Sequence, residues 1–292
     1  MQYGGASGGI NAKPDIREQA VAAFVDEIQD DVLGGSLGLD PGKGIPEGAF
    51  DSLTAGDKRN QIRFETYKQD PLHMYLSGLG PVNCADHVLG LDGKTVAIEG
   101  FGAHSVIMAE EVEKRGAKVV AVSTLSGSMS NADGFVAEEI RERWNSEGAD
   151  FVVREGEEAD PAWKIFQCQA DVLFAGSKMG AINHTTAEKL EIKALIPHQP
   201  LPFTAKALAV LQKRDCVVLP CFIPVAGPLF SYWGNDEVGV EEIISEVSSK
   251  METALDEAIG HEDGLFLGCC YRAEAFLGSW QKSLPFGRPL AS

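Results

Sequence analysis

An α/β fold with a doubly wound, parallel sheet is predicted by three features of the sequence. The stretch Leu91–Ser123 reads as strand, glycine turn, helix and strand in succession. From Gly93 to Pro220, short apolar runs of strand length alternate regularly with helical patterns. Strands that are apolar throughout, separated by helices, imply a sheet covered on both faces. Beyond Trp233 the pattern becomes helical, with Val240, Ile243, Ile244, Val247, Met251, Ala254, Leu255 and Ala258 forming one stripe.

Taken in order, the chain opens on a glycine-rich loop without hydrophobic periodicity. An amphipathic helix is predicted from Asp15, carried by Ile16, Ala20, Val21, Phe24, Val25, Ile28 and Val32 and stopped by Gly34-Gly35. Residues 36–56 are rich in Gly, Pro and Asp and read as irregular loop. Residues 57–83 read as mixed turns and helix, with a helix from about Pro81 through Val88. Strands follow at Lys94–Glu99 and Ala117–Val122, separated by a helix over Ala103–Arg115. Next come a helix at Asp133–Ser146, a strand at Asp150–Val153, a helix at Ala162–Cys168 and a strand at Asp171–Ala175. A helix near Thr185–Leu190, a strand at Lys193–Ile196, a helix at Thr204–Lys213 and a strand at Cys216–Pro220 complete the series. Two helices are expected at the end, Val238–Ile259 and Leu265–Lys282. The domain division is 1–75, 76–233 and 234–292, with the last segment packing back toward the first.

Gly100-Phe101-Gly102 sits between a strand and a helix, the context required of a dinucleotide-binding turn of Rossmann type. Its glycines permit a sharp turn and close approach to a diphosphate, which the unpaired N–H groups of the helix start would receive. Gly100, Phe101, Gly102, Ala103, His104 and Ser105 are therefore candidate cofactor-binding residues, for NAD or NADP. Ser105 stands where a third glycine is usual. Thr124, at the end of the second strand, stands where an acid would grip the ribose, and is the seventh candidate. Without that acid the choice tilts slightly toward NADP, although no arginine follows to hold a 2′-phosphate. His104 could contact a phosphate or could be a solvent-facing loop residue. A Rossmann domain that no longer binds cofactor is the alternative.

With 292 residues the chain is long enough for two domains. A net charge of −18 with no offsetting basic cluster argues against nucleic acid or an anionic membrane as partner. No apolar run reaches membrane-spanning length and no secretory signal pattern opens the chain, so a cytoplasmic protein is expected. The six cysteines form no C-x-x-C pair and read as reduced core thiols. The six histidines show no H-x-x-x-H spacing, so no metal site is expected.

GGASGGI at the start, LGLDPGKG, GKTVAIEGFG with GAKVVAVS, ADVLFAG, LPFTAKALAVLQKRDCVVLP and PVAGPLFSYW follow the order seen in glutamate dehydrogenases. From about Tyr3 to Ala275 the chain thus resembles the glutamate/leucine/phenylalanine/valine dehydrogenase family. The resemblance implies an N-terminally shortened, partial substrate domain and a Rossmann domain, hinged around a cleft for hydride transfer. It also implies an amino acid or oxo acid as substrate and a possible homo-oligomer.

Several family residues are changed. The lysine of the family's glycine motif is Ser7 here, a catalytic position without the positive charge that polarises a carbonyl; loss of such a group costs roughly 10²–10⁴ in rate. The family's catalytic aspartate matches Asp40, which could equally be a turn residue before Pro-Gly. Lys13 or Lys43 could supply the missing ammonium, or both could be solvated surface residues. Ser231 matches a substrate-binding serine. Pro197-His198-Gln199-Pro200 and Val225-Ala226-Gly227-Pro228 each lack an amide that the family carries. Three functions remain open on this reading: an amino-acid dehydrogenase, a related dehydrogenase acting on a substrate without the amino acid head, and a catalytically impaired homologue that binds nucleotide or assembles with a complete dehydrogenase.

Overall fold

A computed structural model describes residue 5 and residues 8–42, 45–46, 48–153, 159–232 and 238–284. The chain forms two compact units, which meet in sequence between Gln61 and Ile62.

In the first unit a short 3-10 turn, Pro14–Ile16, leads into α1 (Arg17–Gly34). Gly35 caps that helix in the left-handed conformation (φ 80°), its N–H returning to Asp31 and Val32. Glycine takes this conformation without steric cost, which is why the helix stops where the Gly-Gly pair predicts. The apolar face of α1 buries Val21, Val25 and Val32 against Phe50 and Leu53, the latter on α2 (Asp51–Gly56).

The second unit begins with a minimal hairpin, β1 (Thr66–Tyr67) and β2 (Asp70–Pro71), and then α3 (Leu72–Leu89). The central layer follows as β3 (Thr95–Glu99), α4 (Ala103–Lys114), β4 (Lys118–Ser123), β5 (Ser128–Phe135) and α5 (Ala137–Glu147). β6 (Val172–Ala175), α6 (His184–Ala187), β7 (Ala194–Pro197), α7 (Ala205–Gln212) and β8 (Val217–Val218) complete it. Two longer helices close the described chain, α8 (Val240–Asp256) and α9 (Leu265–Gly278). Among the described residues the main sheet has six strands in the order β5-β4-β3-β6-β7-β8. All neighbours are parallel except β4 and β5. This is the doubly wound Rossmann-type sheet that the sequence predicts, with one reversed edge strand.

Three local expectations are corrected. Residues 133–136 do not begin a helix: Ser128–Phe135 runs as an edge strand antiparallel to β4, and α5 starts only at Ala137. The strand is half exposed and polar, so it lacks the apolar alternation by which strands are recognised. Asp150–Val153 is no strand; a 3-10 turn spans Gly148–Val152 and buries Phe151 and Val152 as plugs. Ala162–Gln167 is likewise 3-10 rather than α.

The largest departure is α3, which is longer than its expected start at Pro81. It is buried nearly all round, from Leu72 through Ala85, so it shows no polar stripe to betray helical periodicity. Its small residues admit neighbouring backbones. A Cβ on Gly78 would lie 2.7 Å from the His104 carbonyl, and one on Gly80 2.5 Å from that of Pro224.

A buried ionic cluster ties α3 and α4. Glu111, 2% exposed, accepts hydrogen bonds from Tyr75 (2.8 Å), Arg115 (2.6 Å) and Lys68 (3.3 Å). Asn83 extends it by accepting from Arg115 and donating to Ser248 of α8 at 2.7 Å. Burial opposes the charge of Glu111, but the Arg115 and Tyr75 hydrogen bonds outweigh it and bring the carboxyl down to about 2. A carboxyl whose folded pKa is depressed stabilises the fold above its unfolded pKa, and that contribution disappears as pH falls through the folded value. Glu111→Gln is therefore expected to cost about 3 kcal/mol at pH 7 by leaving the cationic partners uncompensated. In urea denaturation, the difference from the unmodified protein should shrink below a pH of about 4.5, and a constant difference down to pH 2 would contradict this account.

Candidate functional site

The sheet order places its topological switch between β3 and β6, since the chain winds outward from there in opposite directions. Ligands of open α/β sheets bind beyond the carboxyl ends of the strands at this point. Four turns converge on it: Gly100–Gly102 after β3, Thr124 after β4, Gly176–Ser177 after β6 and His198 after β7.

Gly100 has φ +79°, and a Cβ there would lie 2.3 Å from the Ser177 nitrogen. Only glycine accommodates both the conformation and the contact. Phe101 directs its N–H to the Ser123 carbonyl at 2.7 Å, while its ring is buried between Trp144 and Phe151. Its contribution to an anion site is the backbone turn alone. Gly102 is the N-cap of α4 and donates its N–H to the Ser105 hydroxyl at 3.1 Å. Among the described residues, the amides of Ala103 and His104 have no hydrogen-bond partner. These are the orphan donors of a 12-residue helix, and their position fits an anionic diphosphate.

The side chains around the turn are more occupied than the backbone. Ser105 is fully buried and caps Gly102. The Thr124 hydroxyl donates to the Ala149 carbonyl at 2.7 Å and accepts from the Ser126 N–H at 3.1 Å. Ser231 is fully buried in the 3-10 segment Pro224–Ser231, where its hydroxyl donates to Pro228 O at 2.7 Å.

Two residues that the sequence reading did not place together dominate the crevice. His198, 3% exposed, donates from Nε2 to the Glu99 carbonyl at 2.8 Å. Its Nδ1 is thereby the accepting nitrogen, and it receives Nε2–H of His104 at 2.9 Å. The tautomers follow from the carbonyl, which can only accept. Burial and the neighbouring His198 press His104 down to about 3, and burial takes His198 down to about 4 against the pull of its Glu99 bond. Both rings are neutral at physiological pH. Beneath them the buried Glu99 carboxylate accepts the N–H groups of Gly176 (3.0 Å) and Ser177 (3.1 Å). The His104–His198 pairing spans 94 residues of sequence, so neither local spacing nor periodicity could announce it.

In the first unit, Asp40 lines a cavity of about 610 Å³ with Arg17, Val21, Phe24, Leu39 and Phe50 among its other walls. Both of its carboxylate oxygens accept from Arg59 at 2.8 Å. Arg59 is also bonded to Asp57; burial opposes its charge, but the Asp57 and Asp40 bonds prevail and raise its pKa. Ser7 and Lys43 lie outside the described residues, and Lys13 is exposed. Among the described residues no group of three or more His, Cys, Asp or Glu is placed to hold a metal. No helix of the described residues is long and apolar enough to cross a membrane.

The place of His198 depends on a glycine below it. A Cβ on Gly176 would fall 2.4 Å from His198 Cε1. Gly176→Ala is expected to expel the ring, break both of its hydrogen bonds and cost about 2 kcal/mol. In histidine-selective NMR the His104 pKa should then rise from about 3 toward that of a solvated imidazole. Unchanged stability together with unchanged tautomers would show that His198 is not seated on Gly176.

Comparison with known proteins agrees with this architecture. A likeness to the NADP-specific glutamate dehydrogenase of Saccharolobus shibatae covers 61% of this chain and 44% of that protein, at 28% identity. One to the glutamate dehydrogenase of Thermotoga maritima covers 52% and 38%, at 32% identity. The NAD-specific glutamate dehydrogenase A of Halobacterium salinarum is 23% identical over 87% of this chain and 64% of that protein. The chain thus spans less than two thirds of these relatives' lengths. In fold it is similar to the hetero-hexameric glutamate dehydrogenase of Thermus thermophilus in its leucine-bound form, with a TM-score of 0.71 and 19% identity, over 91% of this chain and 69% of that one. The model of the Glutamate/Leucine/Phenylalanine/Valine dehydrogenase family matches residues 78–259, and the chain belongs to that family.

Proposed function

We propose that the protein is an NAD(P)-dependent oxidoreductase of the amino-acid dehydrogenase type, acting on the CH–NH₂ group of an amino acid or on a related oxo acid. The observation that carries this reading is the start of α4, where the Ala103 and His104 amides stand unpaired beside the Gly100-Phe101-Gly102 turn at the sheet's switch point. The names of the relatives, NADP-specific and NAD-specific, support a nicotinamide coenzyme of either kind. When bound, that coenzyme supplies the hydride acceptor or donor.

The protein's own part is to bind, orient and manage protons. Ala103 and His104 would hold the diphosphate through their N–H groups. Gly100, Phe101, Gly102 and Ser105 shape the turn, and Thr124 braces the loop after β4. Asp40 is the candidate proton carrier, and to act as one it must release an oxygen from Arg59. Ser7 and Ser231 would orient the substrate by hydrogen bonds. A cytoplasmic place in amino acid metabolism and a homo-oligomeric state belong to the same reading.

A second reading is favoured by the Asp40–Arg59 pair. Arg59 engages both carboxylate oxygens of Asp40, which leaves them less free to accept from a substrate. This arrangement suits a catalytically impaired homologue that binds nucleotide or serves as a subunit of a complete dehydrogenase. The hetero-hexameric description of the Thermus thermophilus protein supports this alternative.

Titration with NADH and NADPH, followed by nicotinamide fluorescence, tests what both readings share, and a flat response to both coenzymes would remove the enzyme reading. With cofactor bound, coenzyme reduction across glutamate, branched and aromatic amino acids, then hydroxy acids, separates a dehydrogenase from a silent subunit. Restoring a cation with Ser7→Lys should raise oxo-acid amination by roughly tenfold or more, given what one electrostatic group contributes. Equal or lower turnover in a variant with unchanged circular dichroism would count against placing Ser7 at the reacting centre.

A further inference from the structure

We propose that the His104–His198 pair makes the anion site at the start of α4 proton-linked, so that a dinucleotide diphosphate binds there together with one proton taken up on His104 Nδ1. The inference rests on the dinucleotide reading above and adds a regulation that the reading does not contain.

The chain of hydrogen bonds leaves one nitrogen of the pair uncommitted. Glu99 O fixes the proton on His198 Nε2, and His198 Nδ1 in turn fixes a proton on His104 Nε2. Among the described residues His104 Nδ1 has no hydrogen-bond partner and is left as a lone pair. The Cε1–Nδ1 edge of that ring faces the turn, each atom 4.0 Å from where a Cβ on Gly102 would stand. A lone pair on the edge that faces the turn opposes an incoming phosphate oxygen. The same nitrogen, once protonated, donates to it and adds a positive charge. The pair accepts that proton without rearrangement, because His104 Nε2 still donates to His198 Nδ1 and His198 Nε2 still donates to Glu99. The proton comes from solvent, and no other covalent bond changes.

The surroundings agree. From the loop after β7, the titratable neighbour is His198 itself. From the end of β3 it is Glu99, whose carboxylate is taken up by the N–H groups of Gly176 and Ser177. α3 meets this turn through Gly78, packed on the His104 carbonyl. In the free protein burial and His198 hold His104 down to about 3, so the ring is neutral at physiological pH. A diphosphate beside Nδ1 raises that value, because an opposite charge within a few ångströms favours the protonated form. The sign follows: affinity is flat above the bound-state pKa and climbs as pH falls below it, by up to roughly tenfold per pH unit.

The test uses the full chain and NADH. Its dissociation constant should be at least roughly fivefold lower at pH 5.5 than at pH 8. Calorimetry in buffers of different ionisation enthalpy should report proton uptake at pH 5.5. The ¹⁵N shift of His104 Nδ1 should move from the unprotonated to the protonated range as NADH is added. His104→Gln should bind with constants that agree within about twofold at the two pH values, since its amide does not titrate there. A pH dependence identical in His104→Gln and the unmodified protein would overturn the inference, as would an unprotonated Nδ1 in the NADH complex; either leaves the dinucleotide reading standing. Absence of NADH binding at every pH from 5.5 to 8 would overturn the inference and the reading together.

Discussion

The carboxyl edge of the sheet depends on how closely the turn after β3 approaches the turn after β6. These strands are hydrogen-bonded neighbours from which the chain winds in opposite directions, and the crevice of the switch point lies above their turns. Here they stay in contact. Gly100 has no room for a Cβ against the Ser177 backbone, and Glu99 bridges the gap by accepting the amides of Gly176 and Ser177. With the two turns so joined, the buried Glu99 side chain forms the floor of the crevice. His198 lies on Gly176 and closes the side toward β7. Among the described residues, the unpaired amides of Ala103 and His104 lie at the first turn of α4, where the helix dipole also favours an anion.

The parts of the fold legible in the sequence are those governed by local physics. β3, α4 and β4 follow from an apolar run, a glycine turn and a stripe at helical spacing, and α1 ends on the glycine pair that its pattern requires. The reading failed where tertiary context overrides local pattern. α3 is buried nearly all round, so no polar stripe marks its first turns before Pro81, where Gly78 and Gly80 are points of close packing. β5 is recognisable only through its partner β4, because an edge strand half in water carries no alternation. The crevice was located from the glycine turn, but its contents were not. His104 was legible as a loop residue near a phosphate site, and nothing local joined it to His198 or Glu99.

Asp40 shows a related limit. Read locally, it is either a turn residue before Pro-Gly or an acid–base group. The structure adds a third element, Arg59, some 19 residues further on, which engages both carboxylate oxygens. The arginine is buried and Asp57 shares it, so this is a fixed charge cluster rather than a solvated surface pair. Any role proposed for Asp40 must be referenced to that cluster. Its exposed edge lines a cavity whose other walls are largely apolar, so the cavity faces the carboxylate and guanidinium as a dipole more than as a bare anion.

Binding and chemistry therefore rest on different kinds of constraint in this protein. An anion at the start of α4 would be received by peptide N–H groups, which every residue except proline possesses. Substitution there is limited only by the shape of the turn, and the glycines at 100 and 102 preserve that shape. Proton transfer and substrate orientation need particular side chains at particular points, and the proposed reading puts the chain's departures there: Ser7 in place of a lysine, and Pro197–Pro200 and Val225–Pro228 in place of segments with an amide. Such a molecule can retain its ligand while its reaction changes or lapses, because the backbone site and the side-chain site are altered by independent substitutions. The histidine pair joins the two kinds. It is made of side chains, yet it sits on the backbone cradle and sets the charge that an incoming anion meets. Substitution at position 104 or 198 would thus act on binding itself, by changing the charge that an incoming anion meets.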